Sequence, residues 1–313
     1  MKKIILSLYF LIQVSYVLAQ TKIVNEITCN YINVSGTKIS LIPPPGFTKA
    51  RNFIGLQQDE SGSTIMIMDI PGPFSEVSKG LTKANFLSKG VEIKSIEEFT
   101  LNDKKGLLLT GEQNAYGKIF TKYIFTFGTE KETIMINGAF PNNLLEIGKE
   151  IKTSILSTFY DENKKINPFE NLDFEVSTIG TSLIFASSLA NMLTYNSDGL
   201  TPTKSINSTS LIVGKAISNI DIEDKKLYAL ERFKKMPFEI EKIESTNEIN
   251  VDGISGYEIT AIAKDKKTGF EEKVYQVMLF SDNLYYILLG KTNNDYEKNL
   301  IEIKKVIKTF KRK

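Results

Sequence analysis

The chain has no histidine and one cysteine, Cys29, and these two counts remove most familiar catalytic chemistry. Without imidazole there is no Ser-His-Asp or Cys-His nucleophile, no HExxH metal site and no histidine acid–base couple. A single thiol cannot build a cysteine zinc cluster. What remains is carboxylate, lysine and tyrosine chemistry. The adjacent pairs Asp59-Glu60, Glu97-Glu98 and Glu271-Glu272 are the visible candidates for an acid and a base. Neighbours along a strand point to opposite faces, so each pair is expected to be solvated rather than to share a substrate. The segment Asn219-Ile220-Asp221-Ile222-Glu223-Asp224 opens like a calcium loop, with oxygen ligands at positions one, three and five. Asp224 stands where that loop needs glycine, and Leu230 where it needs glutamate. The segment therefore reads as the acidic first turn of a helix. Neither a P-loop nor a GxGxxG run occurs. No catalytic residue, metal ligand or cofactor is assigned.

Binding is the alternative to catalysis. Tyr275, Tyr285, Tyr286, Phe120, Phe125 and Phe127 sit inside expected strands and read as sheet core. The better recognition candidate is the non-repetitive segment from Phe47 to Phe53, which places Phe47, Arg51 and Phe53 together on an expected surface loop. Arginine is scarce, with only Arg51, Arg232 and Arg312 present, so the guanidinium clusters that grip phosphates are missing and nucleic acid is not an expected partner. The basic end around Lys304-Lys305 and Lys308 to Lys313 reads as a solvated helix face and tail.

The elements that must position these residues occur twice. Ser63 to Ile96 reappears without a gap from Ser210 to Ile243, with Ser63, Ile65, Ile70, Phe86 and Ile96 among the identical positions. Asn142, Asn143, Glu146, Thr158 and Phe159 match Asn293, Asn294, Glu297, Thr309 and Phe310 at a nearby offset. In the first copy, Thr64 to Ile70 is apolar on both alternating faces, as in a strand covered on both sides. Ile119 to Phe127 and Thr133 to Phe140 read as a hairpin, and Val91 to Leu101 as a strand ending in an Asn102-Asp103 turn. A helix is expected through Val77, Leu81, Ala84 and Leu87, with Ser75 as cap and Gly90 as stop. A second carries Leu144, Ile147, Ile151, Ile155 and Phe159 on one stripe. The second copy repeats this order, with helices over Asp224 to Lys235 and from Tyr296 to Phe310, and differs in a long Ser-, Thr- and Asn-rich opening loop over Ser187 to Thr209.

The run Ile39-Ser40-Leu41-Ile42-Pro43-Pro44-Pro45-Gly46-Phe47, a strand entering a Pro-Gly-aromatic turn, resembles the start of the PsbP/DcrB-like superfamily. That resemblance implies a central antiparallel sheet with helices on both faces in an exported protein, and carries no catalytic residue across. The expected fold class is α+β: two tandem modules, each an α/β/α sandwich. The divisions are a signal peptide over 1–19, a first module over 20–159, a linker over 160–168 and a second module over 169–313.

The signal peptide is read from Lys2 and Lys3, the apolar stretch Ile4 to Leu18, and Val17-Leu18-Ala19, with cleavage between Ala19 and Gln20. The stretch is shorter than the roughly 20 apolar residues a membrane span needs, so no transmembrane segment is expected in the mature chain. Loss of Lys2 and Lys3 would bring the 39 basic residues level with the 37 acidic ones. The composition suggests a location in the periplasm or outside the cell. The function expected is an exported, non-enzymatic binding or assembly protein of the cell envelope, acting on an envelope protein or a small ligand. Alternatives are an envelope hydrolase or lyase using carboxylates or lysine, and a small-molecule or lipid carrier.

Overall fold

Long runs of β-branched and aromatic residues alternating with polar ones dominate this chain, and they form extended pleated strands. In the computed structural model, which describes residues 21–115, 117–217 and 221–313, the first half contains β1 Thr21–Ile23, β2 Ile32–Asn33, β3 Ile39–Leu41, β4 Thr48–Lys49, β5 Gly55–Gln58, β6 Ser63–Pro71, α1 Phe74–Val77, α2 Lys83–Leu87, β7 Val91–Leu101, β8 Lys104–Ala115, β9 Lys118–Gly128, β10 Glu132–Pro141, α3 Leu145–Leu156 and β11 Phe159–Tyr160. The second half contains β12 Phe174–Glu175, β13 Ile184–Leu189, β14 Met192–Asn196, β15 Ser210–Lys215, α4 Lys225–Lys234, β16 Phe238–Val251, β17 Ile254–Asp265, β18 Glu271–Ser281, β19 Leu284–Thr292, α5 Tyr296–Lys308 and β20 Lys311–Arg312. The expected signal peptide, with its cleavage point at Ala19 and Gln20, lies outside the described residues, as do 219 and 220 of the acidic segment.

One large sheet forms in each half. The first runs β1-β7-β8-β9-β10-β6-β5-β4 and the second β13-β14-β15-β19-β18-β17-β16. Read from β7 and from β16, the two sheets have the same strand order, so the repeated residues occupy matching places. The match extends to an irregularity: register shifts between Ile93 and Ser95 on β7, and between Ile240 and Lys242 on the corresponding β16. Each is a bulge that bends a long strand around its core. The helices α3 and α5 also sit alike. Each crosses a glycine of the strand beneath it, and a Cβ on Gly138 would lie 2.5 Å from the Ile151 side chain and one on Gly290 2.4 Å from Ile303. Glycine there brings the helix close enough for those isoleucines to be fully buried.

The expected α/β/α sandwich is corrected here. The chain is mostly β, with twenty strands against five short α-helices among the described residues, and no continuous helical layer covers either sheet. The reason is local. The helix expected from Val77 to Leu87 breaks at a 3-10 turn over Ser78–Gly80 and restarts at Thr82, whose side chain accepts from the Asn85 amide at 3.2 Å. Gly80 favours that break, because glycine is costly in a helix interior. Ser75 does not cap α1, whose N-cap is Pro73. Phe159 is not the end of a helical stripe either; it pairs with Ser40 across β11 and β3. Part of the expected loop over Ser187 to Thr209 is the hairpin of β13 and β14, leaving residues 197–209 as loop.

The core of the first half joins Ile65, Ile67, Phe125, Phe127, Ile134 and Ile136 to Ile151 and Ile155 of α3. In the second half Val213, Val277 and Leu288 meet Ile303, Val306 and Ile307 of α5, with Phe174 stacked on Phe310 at 5.9 Å. The segment expected as a linker is tied back to the first half. Asp161 donates its amide to the Lys38 carbonyl at 2.9 Å, and Glu162 pairs with Lys104 at 2.9 Å.

Candidate functional site

Two short strands and the turn between them build one wall of a cavity where the halves meet. Thr48 and Lys49 of β4 pair with Gln57 and Leu56 of β5, and the intervening residues 50–54 fold over the edge of β6. Gly55 makes that approach possible. Its φ is +150°, and a Cβ there would lie 2.0 Å from the Ile65 carbonyl oxygen, so only glycine fits. The opposite wall comes from Asn171 to Phe174, Asn191 and Lys215 of the second half. The cavity is open to solvent on one side and its volume is about 600 Å³, within the roughly 300–1,000 Å³ of small-ligand sites.

Apolar side chains from both halves line the space: Phe47, Phe53, Ile54 and Leu56 from one, Leu172 and Phe174 from the other. Two asparagine amides tie the walls together. Asn191 is buried at the tip of the β13–β14 hairpin, and its Nδ2 donates to the Asn52 carbonyl at 3.0 Å and the Lys215 carbonyl at 2.7 Å. Asn171 donates its Nδ2 to the Ser35 carbonyl and accepts from Lys49 Nζ at 3.2 Å. Lys215, with its side chain only 8% exposed, pairs with Asp173 at 2.6 Å. The Tyr286 hydroxyl donates to the same carboxylate at 3.4 Å. Burial, then the nearby Asp173 charge, pushes Tyr286 up to about 12, so it remains a neutral donor at physiological pH.

The three residues singled out in the sequence lie on this wall, in different settings. Phe47 is buried and belongs to the core of the first half. Phe53 is half-buried on the cavity. Arg51 is exposed and forms an ion pair with Asp59. Lys49 lies within the 47–53 segment and Asn191 within the 187–209 segment marked in the sequence, without either residue being singled out there; Asn171 and Lys215 were not found. For Asn191 a signal existed: Ile184 to Leu189 and Met192 to Asn196 are two strand-like runs around a two-residue Ala190-Asn191 turn, with Ala190 at φ +53°.

No family model matches the chain, and no curated protein matches it. Among solved structures it is similar to the apo immunity protein TplEi of the T6SS from Pseudomonas aeruginosa, with 8% identity over 90% of this chain and 97% of that one and a TM-score of 0.32. The Tle4–Tli4 complex gives 7% identity over 92% and 99%, with a TM-score of 0.30. The MucB complex with MucA(peri) gives 11% over 88% of each, with a TM-score of 0.16. Overlaps this loose carry no argument, so the functional reading rests on the cavity itself.

The carboxylate pairs and the acidic segment marked in the sequence lie elsewhere. Glu271 faces solvent while its neighbour Glu272 is buried against Lys291 at 2.8 Å, the opposite-face arrangement that strand geometry demands. Asp59, Glu60, Glu97 and Glu98 are exposed. Asp224 caps α4 by accepting from the Leu227 amide at 2.9 Å, and no group of three or more potential metal ligands gathers among the described residues. Two carboxyls from different strands do converge. Asp69 of β6 and Glu132 of β10 lie near Lys38, which pairs with Glu132 at 2.6 Å, and near Tyr160, whose hydroxyl donates to Glu132. Burial, then the Glu132 charge, raises Asp69 to about 6, while Lys38 pulls the other way. None of the cavities described here has either carboxyl on its wall. Among the described residues no helix is long and apolar enough to cross a membrane.

Proposed function

We propose that this chain is an exported, non-enzymatic binding protein whose ligand seats in the cavity between its two halves. One observation carries the reading. The cavity takes its apolar lining from both halves, and amide hydrogen bonds from Asn171 and Asn191 hold those walls in a set geometry. A preformed space with apolar side chains from both halves set among fixed polar groups suits capture of a ligand with little ordering cost. Export is supported by the two-lysine, apolar, small-residue pattern of Met1 to Gln20.

Native mass spectrometry of freshly purified protein tests it. A retained molecule should accompany the wild-type chain and be lost from Phe53→Asp, which replaces a half-buried aromatic of the cavity wall with a charge. Equal retention by both proteins would place the ligand elsewhere and remove the reading.

A further inference from the structure

The cavity's charges specify more than an apolar ligand. Three cationic side chains line it, Lys49, Arg51 and Lys215, against one carboxylate, Asp173. Two of the cations are answered by carboxylates: Lys215 by Asp173 and Arg51 by Asp59. Lys49 is different. Its partner among the described residues is the uncharged Asn171 Oδ1, at 3.2 Å, and it forms no ion pair within the described residues. The Asn171 amide is held in that orientation because its nitrogen is committed to the Ser35 carbonyl. Lys49 is exposed at the rim, and a lysine ammonium has three donors, so two remain hydrated and open to an incoming acceptor.

The lining therefore combines an apolar interior, formed by Phe53, Ile54, Leu172 and Phe174, with a cation at its edge fixed by a neutral acceptor. We infer that the ligand is an alkyl carboxylate, its apolar chain lying in the cavity between the halves and its carboxylate on Lys49 Nζ. The inference rests on the cavity being the binding site. A carboxylate supplies the missing negative charge and accepts the two free N–H groups in charge-assisted hydrogen bonds. A neutral alcohol would leave the ammonium uncompensated. An alkylammonium would add a like charge.

Titration calorimetry of the full chain with dodecanoate, dodecanol and dodecylammonium, each below its micelle-forming concentration, reads this directly. Dodecanoate should bind roughly two- to fivefold more tightly than dodecanol, with dodecylammonium the weakest, the scale of one solvent-exposed charge contact. Lys49→Gln should bring dodecanoate down to the alcohol's affinity and leave dodecanol unchanged, while Lys49→Arg should keep the preference. Phe53→Asp should weaken all three. Equal affinity for acid and alcohol in the wild type, or a preference that survives Lys49→Gln, would overturn the carboxylate inference and leave the cavity reading standing. No binding by any probe, or binding unaffected by Phe53→Asp, would remove both.

Discussion

The side-chain amide of Asn191 and the backbone carbonyl of Asn52 meet at 3.0 Å across the boundary between the halves. The same amide nitrogen donates to the Lys215 carbonyl at 2.7 Å within the second half. A single buried group thus ties the β4–β5 turn to the strand β15 and holds the cavity's two walls at a defined distance.

Replacing Asn191 with Ala should leave both carbonyls without that donor. Loss of a buried hydrogen-bond donor costs roughly 1–3 kcal/mol, and here the cost should appear as a lower urea midpoint together with faster amide exchange in the Phe47 to Phe53 segment. Unchanged exchange in that segment would mean that the walls are held by other contacts.

Asp69 makes stability depend on pH. Its carboxyl keeps its proton to about pH 6 in the folded state, against an ordinary value of 3.8, so between these pH values the folded chain binds more protons than the unfolded one. The stabilisation is complete below about pH 4 and is lost as pH rises through 6, a change of about 2–3 kcal/mol for this shift. Asp69→Asn should therefore stabilise the protein relative to wild type at pH 7 more than at pH 4. Urea titrations at the two pH values that show the same difference between variant and wild type would rule this out.

Glu272 is buried beside Lys291, which also approaches Asp265 at 3.4 Å. Lys291→Ala should leave the Glu272 charge without its counter-ion, a loss of roughly 1–3 kcal/mol for a pair whose lysine is partly exposed. Combining it with Glu272→Gln should recover part of that loss. A double variant less stable than Lys291→Ala alone would show that the pair is not the source.

At Gly290, alanine would bring a methyl against Ile303 of α5. Overpacking of this kind costs about 1–3 kcal/mol, and Gly138→Ala should behave alike beneath α3. Thermal unfolding of the two variants checks the correspondence; a neutral Gly290→Ala would mean that α5 can lift off its strand without penalty.

Many of the individual strands were legible in the sequence, because period-two alternation and turn residues are local signals. The hairpin of β9 and β10 around Gly128, and the strand Val91–Leu101 ending at the Asn102-Asp103 turn, follow from neighbours in sequence. The same local reading misjudged the helices. Apolar spacing at Val77, Leu81, Ala84 and Leu87 fits a helix, yet the chain turns at Ser78–Gly80, and a helical layer was expected where long strands supply the structure instead.

The residue types by themselves excluded imidazole and multi-thiol chemistry, and the repeated positions in the two halves marked matching places in two sheets of the same strand order. The sequence marked the 47–53 segment, and what tertiary structure alone decided is which residues of the second half meet it. Lys49 and Asn171, or Asn52 and Asn191, are more than a hundred residues apart in the chain, and no periodicity relates them. Their meeting depends on how two finished sheets settle against each other, and on which carboxylates are already spent on Lys215 and Arg51 when Lys49 is left facing a neutral amide.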